Sequence, residues 1–539
     1  MAQTSTTDNI DSKPEIDFLE EISNLIFTAK YARWNEKKKR RETLNEAVDR
    51  VCKMHLEKYS FLPEEDKDRI RWAFEMVKKK RVVPSMRSMQ FGGKAVFAHN
   101  ARMYNCGVRH IDSLRAFAEV FYCLLCGTGM TLGLSEKVIS LLPNLVNKKD
   151  KTGSVITYVI EDTIEGWADA VEALLMCYHK NTPLTGRKIV FDYSKIRPKG
   201  TTLKTGGGKA PGHEGLKQTL EKIKQLLDYA IEELHLQRLR SIDIYDILMH
   251  CADAVLSGGI RRAATAVIFD PTDDLMMNAK VNFSISSYKR FEQLPSGFWE
   301  GTVVVNKKKY EVVISDWEFE NDVKGKSEIS WRHIEPQRAR SNNSVLLLRS
   351  ETNIDQLKYI ISKTRQWGEP GFVFADHPLT LFNPCFEIGF IPVTKDGRFG
   401  VQFCNLSEQN GAKISSLLEW EESTEAATII GTLQAGYTEF PYLNKASQEL
   451  TEEEALLGVS VTGWFDNPEV LFDAKNEFFM AKLSTKINKE WAAKININTA
   501  ARITCTKPSG TASIFLGSSS GIHPHHDHRY FRRVQMNKL

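Results

Sequence analysis

Asn383-Pro384-Cys385-Phe386-Glu387 decides how the rest of the chain reads. A thiol and a carboxylate stand two residues apart, and a carboxamide stands two before the thiol. On an extended strand or a loop tip, residues 383, 385 and 387 share one side. That side would hold a hydrogen-bonding amide, a sulfur and a general base. Pro384 keeps the segment out of a helix interior and biases Asn383 toward extended geometry. Phe382 and Phe386 are expected on the opposite side, in packing. A buried structural cysteine in a turn is the plain alternative, because free cysteine behaves as a small hydrophobe. The Asn and Glu at matching parity weigh against it.

Around this loop lies a chain of 539 residues, 42% hydrophobic and 26% charged, the texture of a globular protein of several domains or one large barrel. Net charge is only +4, from 72 basic and 68 acidic residues, too balanced to argue for nucleic acid or a membrane surface. No run of apolar residues is long enough for a transmembrane helix, and Met1–Glu15 is polar without a signal-peptide core. The cytoplasm is the expected location. Nine dispersed cysteines are not a secreted disulfide framework. Cys123 and Cys126 have CxxC spacing but lie in an apolar helical run, so they are expected in the core.

Residues 1–14 read as a disordered tail. Helical patterns over 15–34, 43–58 and 64–80 predict an N-terminal helical cap, residues 15–98, followed by a catalytic unit from 99 to 539. Asp112 is the expected cap of the next helix, which stops at Gly127-Thr128-Gly129. Asp162-Thr163-Ile164-Glu165 has the capping-box pattern. Arg197-Pro198-Lys199-Gly200 and a Gly-rich loop ending at Gly212 could hold an anion, as could Gly258-Gly259 with Arg261-Arg262. Residues 281–332 look inserted, with a β-hairpin around 306–309. Helices are expected near 423–437, 451–463 and 474–494. Lys507-Pro508-Ser509-Gly510-Thr511-Ala512-Ser513 suits either a helix cap or a phosphate site. His523, His525, His526 and His528 lack supporting ligands at metal spacing, so no metal site is assigned. Strands alternating with helices indicate an α/β fold with much parallel sheet.

Taken together, Asn383-Pro-Cys385-Phe-Glu387, Cys404-Asn-Leu and Lys507-Pro-Ser-Gly-Thr511 resemble the catalytic chain of a ribonucleotide reductase. Tyr31-Ala-Arg-Trp34, Asn105-Cys106, Asp162-Thr-Ile-Glu-Gly-Trp167, Gly259-Ile-Arg-Arg262, Ser341-Asn-Asn-Ser-Val345 and Gly368-Glu-Pro-Gly371 extend the resemblance over nearly everything from residue 30. Within the family the chain is most similar to the adenosylcobalamin-dependent, monomeric class acting on ribonucleoside triphosphates.

The resemblance implies a ten-stranded α/β barrel with a central finger loop. It makes Cys385 the thiyl radical, Glu387 the base on the 3′-hydroxyl, Asn383 the residue that orients the sugar, and Cys106 with Cys404 the reducing pair. Ser85, Arg87 and residues 508–513 would hold substrate phosphates. Asp162, Glu165, Arg197, Lys199, Gly258, Gly259, Arg261 and Arg262 would bind a deoxynucleotide effector. A thioredoxin-like or other dithiol reductant is implied. So are a last barrel strand and a cysteine-bearing tail beyond Leu539, which a second chain could supply to a nucleotide-binding half. A di-iron partner subunit acting on diphosphates is the alternative radical source. The sequence holds no cobalamin motif of the Asp-x-His-x-x-Gly type.

Overall fold

The computed structural model describes residues 18–150, 152–201, 209–257, 264–288, 291–305 and 308–531. The predicted tail, together with Gly258, Gly259, Arg261 and Arg262, lies outside them.

Helices Phe18–Lys30, Leu44–Lys58 and Glu64–Lys78 open the described chain. Thr43 and Glu46 close a reciprocal capping box on the second. Two-residue strands β1 (Trp34–Asn35) and β2 (Arg40–Arg41) pair with each other. The apolar faces of these helices share one continuous core with helix Leu417–Ala435 and with the helices behind the main sheet.

The strands that carry the site form two sheets. In chain order they are β3 (Val82–Val83), β4 (Cys106–His110) and β5 (Gly129–Leu134). A parallel pair apart from these, β6 (Val155–Val159) and β7 (Lys188–Asp192), precedes β8 (Thr265–Phe269). Every residue of β4, β5 and β8 is buried, as expected for strands covered on both faces.

The insertion holds β9 (Phe283–Tyr288), β10 (Glu292–Gln293), β11 (Trp299–Val305), β12 (Lys308–Ile314) and β13 (Glu328–Ile329). They make a five-stranded sheet with its own small core of Val303, Val312, Ile314 and neighbours. The insertion is therefore more than the expected hairpin. Its short outer strands, of two residues each, are too brief to show alternation.

The remaining strands are β14 (Ser341–Leu348), β15 (Gly371–Ala375), β16 (Leu381–Phe382), β17 (Gly389–Phe390), β18 (Gln402–Cys404), β19 (Leu406–Asn410) and β20 (Gly458–Thr462). The first sheet runs β15-β14-β8-β5-β4-β18, parallel except for the β4–β18 edge. The second runs β20-β19-β3. Residues 501–507 extend it beside β20, with Val459 N donating to Ile503 O at 2.8 Å and Cys505 N to Val459 O at 3.2 Å. The chain steps from the first sheet to the second through Asn405, so both sheets meet beside Cys404. Strand pairing among the described residues does not close them into one ring; the fold is mixed α/β.

Two local expectations are corrected. The pattern over 451–463 is not one helix: helix Lys445–Glu454 ends at Ala455, and Gly458–Thr462 is β20. Val459 and Val461 alternate with smaller residues and the β-branched Thr462 follows, which favours a strand. Ser113, not Asp112, caps helix Leu114–Cys126 by accepting from Ala116 N. Asp112 is instead bonded to the Arg109 guanidinium at 2.8 Å.

Candidate active site

The 383–387 loop is the tip of a hairpin. Leu381 faces Phe390 and Phe382 faces Gly389. Asn383 closes the turn on itself: its N donates to Ile388 O at 3.2 Å, its O accepts from Phe386 N at 2.8 Å, and its Oδ1 accepts from Ile388 N at 3.0 Å. Phe386 takes φ 63°, in the left-handed region, so the loop is a turn and not an extended run. The grouping therefore comes from turn geometry rather than from strand parity. Asn383 is fully buried, whereas Cys385 at the tip is exposed. The Phe382 and Phe386 rings stack at 5.9 Å. A β-carbon on Gly129 would lie 3.5 Å from Pro384 Cγ and 3.1 Å from Ala264 O, so glycine there lets the finger approach the sheet.

Three sulfurs converge at this tip. Cys106 and Cys404 are direct cross-strand partners in the β4–β18 ladder. Facing residues of an antiparallel pair have Cα atoms about 4.5–5.5 Å apart, within disulfide range. Cys106 also pairs with Gly129 on β5, against which Pro384 of the finger packs, so Cys385 and Cys404 are both neighbours of the Cys106 thiol. The Cys385 contact works to lower its pKa, but the Cys404 contact and burial hold it well above the usual thiol range. Cys385 is pushed up by its contact with Cys106 and then by burial; Cys404 is pushed up by burial. All three stay protonated at neutral pH, the form that carries a transferable hydrogen.

Glu387 lies beside them. Both of its oxygens are buried without a hydrogen-bond partner of good geometry. Burial raises its pKa, and Asn383 and Lys507 offset part of the rise. Lys507 Nζ is 3.0 Å from Glu408 Oε2, with Glu408 almost completely buried on β19.

A polar frame holds the two thiol strands. Ser85 Oγ donates to Met103 O at 2.7 Å and to Asn105 Oδ1 at 3.1 Å; Asn105 is the neighbour of Cys106. Ser85 N donates to Gln434 Oε1 at 2.8 Å, and Gln434 Nε2 donates to Asn405 Oδ1 at 2.8 Å, next to Cys404. The predicted phosphate residue Ser85 is thus bonded between the two cysteine strands. Arg87 Nη1 donates to Gln90 Oε1 at 3.0 Å.

The 507–513 loop leads into the short helix Thr511–Leu516. Pro508, Ser509 and Gly510 precede it, and Ala512 and Ser513 are buried within it. Ser513 Oγ donates to Gly510 O at 2.7 Å, while Ser509 Oγ is buried without a partner. Phe515 of this helix packs on Phe27 at 5.9 Å.

The predicted effector residues that are described, Asp162, Glu165, Arg197 and Lys199, are placed elsewhere. Asp162 Oδ2 accepts from Arg197 Nε at 2.6 Å, and Glu165 Oε1 lies 3.3 Å from His99 Nδ1. Thr163 caps helix Ile164–Tyr178. Lys199 packs under Gly212, where a β-carbon would sit 3.2 Å from its own. At the C-terminal end His525 Nε2 is 2.9 Å from Asp466 Oδ1, and His523, His526 and His528 are exposed.

Glu408 and Gln434 were not singled out by sequence, and Asn105 and Asn405 stood in its motifs only as neighbours of the cysteines. The signal for Glu408 was available: it shares the parity of Cys404 at the head of a polar run, Ser407–Asn410, that is buried throughout.

Residues 143–227 match the family model of the insertion domain of B12-dependent ribonucleotide reductase. The chain superposes on a crystal structure of a B12-dependent (class II) ribonucleotide reductase with a TM-score of 0.69 at 19% identity, over 93% of this chain and 75% of that one. The chain is similar to the B12-dependent ribonucleotide reductases. A Dictyostelium discoideum protein named "Probable adenosylcobalamin-dependent ribonucleoside-triphosphate reductase" is 25% identical over 403 residues, 71% of this chain and 44% of that protein. The adenosylcobalamin-dependent ribonucleoside-triphosphate reductase of Lactobacillus gasseri is 22% identical over 627 aligned positions, 96% of this chain and 75% of the relative. The chain thus spans less than half of one relative and three quarters of another. The matched 143–227 segment contains Asp162, Glu165, Arg197 and Lys199. Among the described residues no helix is long and apolar enough to cross a membrane.

Proposed function

We propose that the chain carries the radical centre of a ribonucleoside-triphosphate reductase making 2′-deoxyribonucleotides, with its two sheets as arcs of a ten-stranded α/β barrel. The observation that carries this reading is the cross-strand pair Cys106 and Cys404 with the Cys385 finger packed beside it.

In this reading Cys385, as a thiyl radical, takes the hydrogen atom from C3′ of the ribose. Radical transfer needs the sulfur held at contact distance, which is what the finger turn supplies. Glu387 accepts the 3′-hydroxyl proton while a thiol of the Cys106–Cys404 pair protonates the 2′-hydroxyl, which leaves as water; the proton on Glu387 later returns to the 3′-oxygen. In all, Cys106 and Cys404 give up two protons, one of which leaves in the water, and two electrons, and join as a disulfide. Cys385 then returns its hydrogen to C3′. A dithiol reductant must reopen the disulfide before the next turnover.

The residues fit adenosylcobalamin in one respect. Cys385 is the one exposed residue among the nine cysteines, so a bulky group can approach the tip of the finger. The residues that would receive the group are those of the tip, 384–386. Bound adenosylcobalamin supplies a radical equivalent by homolysis of its carbon–cobalt bond. The names of the relatives support this cofactor and the triphosphate substrate. The buried, unpartnered Ser509 hydroxyl supports phosphate binding at the 507–513 loop. The Asp162–Arg197 pair, inside the matched insertion-domain segment, supports an effector role there.

The test is incubation of the purified chain with a ribonucleoside triphosphate, a deoxynucleotide effector, a dithiol and adenosylcobalamin. Deoxynucleotide is the expected product. A parallel arm adds a C-terminal chain of a relative, to recover activity if part of the barrel is supplied in trans. Absence of product in both arms overturns the proposal.

A further inference from the structure

Two buried carboxylates, Glu387 and Glu408, lie near a single ammonium, Lys507, which is bonded to Glu408, where the two sheets meet. Three of their four oxygens, both of Glu387 and Oε1 of Glu408, are buried without a partner. Only Glu408 Oε2 is satisfied, by Lys507 Nζ at 3.0 Å. Lys507 has little freedom to leave. Its N donates to Ser460 Oγ at 2.9 Å, and Gly521 packs against its carbonyl, where a β-carbon would lie 3.0 Å away.

We propose that Lys507, clamped by Glu408, is a positioning residue for Glu387: its shared charge keeps Glu387 available as a carboxylate in a site dry enough to protonate it. This rests on the reading of Glu387 as the base of ribonucleotide reduction, and it adds two residues to that chemistry.

The physical argument is a balance of charges. A carboxylate taken out of water without a partner gains a proton instead. Burial drives Glu387 that way; its own backbone N–H and the Asn383 carboxamide oppose it, Lys507 adds to them as a positive charge, and Glu408 adds repulsion. The other groups facing Glu387 are Asn383 and Cys385 on the finger, Cys106 on β4, Cys404 on β18 and Cys505 beside Lys507. The thiols among them are neutral, so Lys507 is the one cation in the group. Glu408 limits how much of that cation Glu387 receives. Removing Lys507 therefore favours the protonated acid at 387, while neutralising Glu408 releases Lys507 to Glu387 and favours the carboxylate. Opposite signs from two neighbouring substitutions are not what simple disruption produces.

The experiment is a 13C NMR titration of the unliganded chain labelled at the glutamate side-chain carboxyl carbon, with the Glu387 signal assigned by its disappearance in Glu387→Gln. Lys507→Met is expected to move the Glu387 midpoint up by about one pH unit or more, and Glu408→Gln to move it down. Lys507→Arg keeps the cation and is expected to leave the midpoint near that of the parent. It also serves as the readable variant if Lys507→Met fails to fold. Midpoints that stay put in Lys507→Met and Glu408→Gln, or that shift in the same direction, overturn the proposal. So does an upward shift in Lys507→Arg as large as that expected of Lys507→Met. No nucleotide, cofactor or turnover enters the measurement, so its result is separate from whether the chain reduces ribonucleotides. If it does, the acid limb of kcat/KM is expected to follow the same two shifts.

Discussion

Cys106 stands directly opposite Cys404 across the antiparallel β4–β18 edge, on strands that are far apart in sequence. The pairing places two thiols where a disulfide needs no movement of either strand. Mild oxidation followed by peptide mass spectrometry should therefore recover a Cys106–Cys404 link ahead of any other pair. Cys106→Ser and Cys404→Ser should each abolish the link and sustained turnover with a dithiol. A dominant link involving Cys123 or Cys126 would contradict the geometry.

Glu387 gives a pH signature with a definite sign. Burial raises its pKa above the ordinary carboxylate value. A base must be ionised to work, so activity is present above the raised pKa and is lost as pH falls through it. The acid limb of kcat/KM should lie above the ordinary glutamate pKa of about 4.3. Glu387→Gln should lower kcat by about 10²–10⁴-fold and remove that limb. The check is a pH–rate profile of both proteins.

Asn383 has separable tasks. Its Oδ1 accepts from Ile388 N in the finger turn at 3.0 Å, and its carboxamide nitrogen is buried in the site. Asn383→Ala strands the buried Ile388 N–H and should cost about 1–3 kcal/mol in urea unfolding, as well as activity. Asn383→Asp keeps the acceptor, so stability should fall less. It adds a carboxylate near Glu387, so the rate should fall as far. Equal stability loss in both variants would argue against this division.

Arg109, one residue from the end of β4, is 3.0 Å from Glu119 of helix Leu114–Cys126, and both are buried. Glu119 Oε1 also accepts from Asn444 N at 2.7 Å. Glu119→Ala should destabilise the chain by about 3–5 kcal/mol, because it leaves a buried cation with Asp112 as its remaining carboxylate. The double variant Arg109→Met/Glu119→Leu should recover part of that loss. Denaturant titration of the three proteins checks both statements.

The finger loop was legible because its chemistry is local. Five consecutive residues carry the thiol, the carboxylate and the amide, and Pro384 rules out a helix. How they converge was not legible, since the left-handed Phe386 that makes the turn is not a glycine. Helices with capped, amphipathic patterns, such as Ile164–Tyr178, could be read from spacing alone. Strand β20 could not, because it follows the acidic helix Lys445–Glu454 with only a three-residue break. Gln434 looks like an accident in the apolar run Ala426–Ala435; its meaning depends on Ser85 and Asn405, which arrive from distant segments. Glu408 and Lys507 are 99 residues apart, and no periodicity links them.

The account depends most on the sulfur of Cys385. The direct measurement is deoxynucleotide formation by the parent and by Cys385→Ala, with a ribonucleoside triphosphate, effector, dithiol and adenosylcobalamin, alongside nucleotide binding and thermal unfolding of each. The account predicts product from the parent, none from Cys385→Ala, and unchanged binding and unfolding. Turnover retained by Cys385→Ala would contradict it.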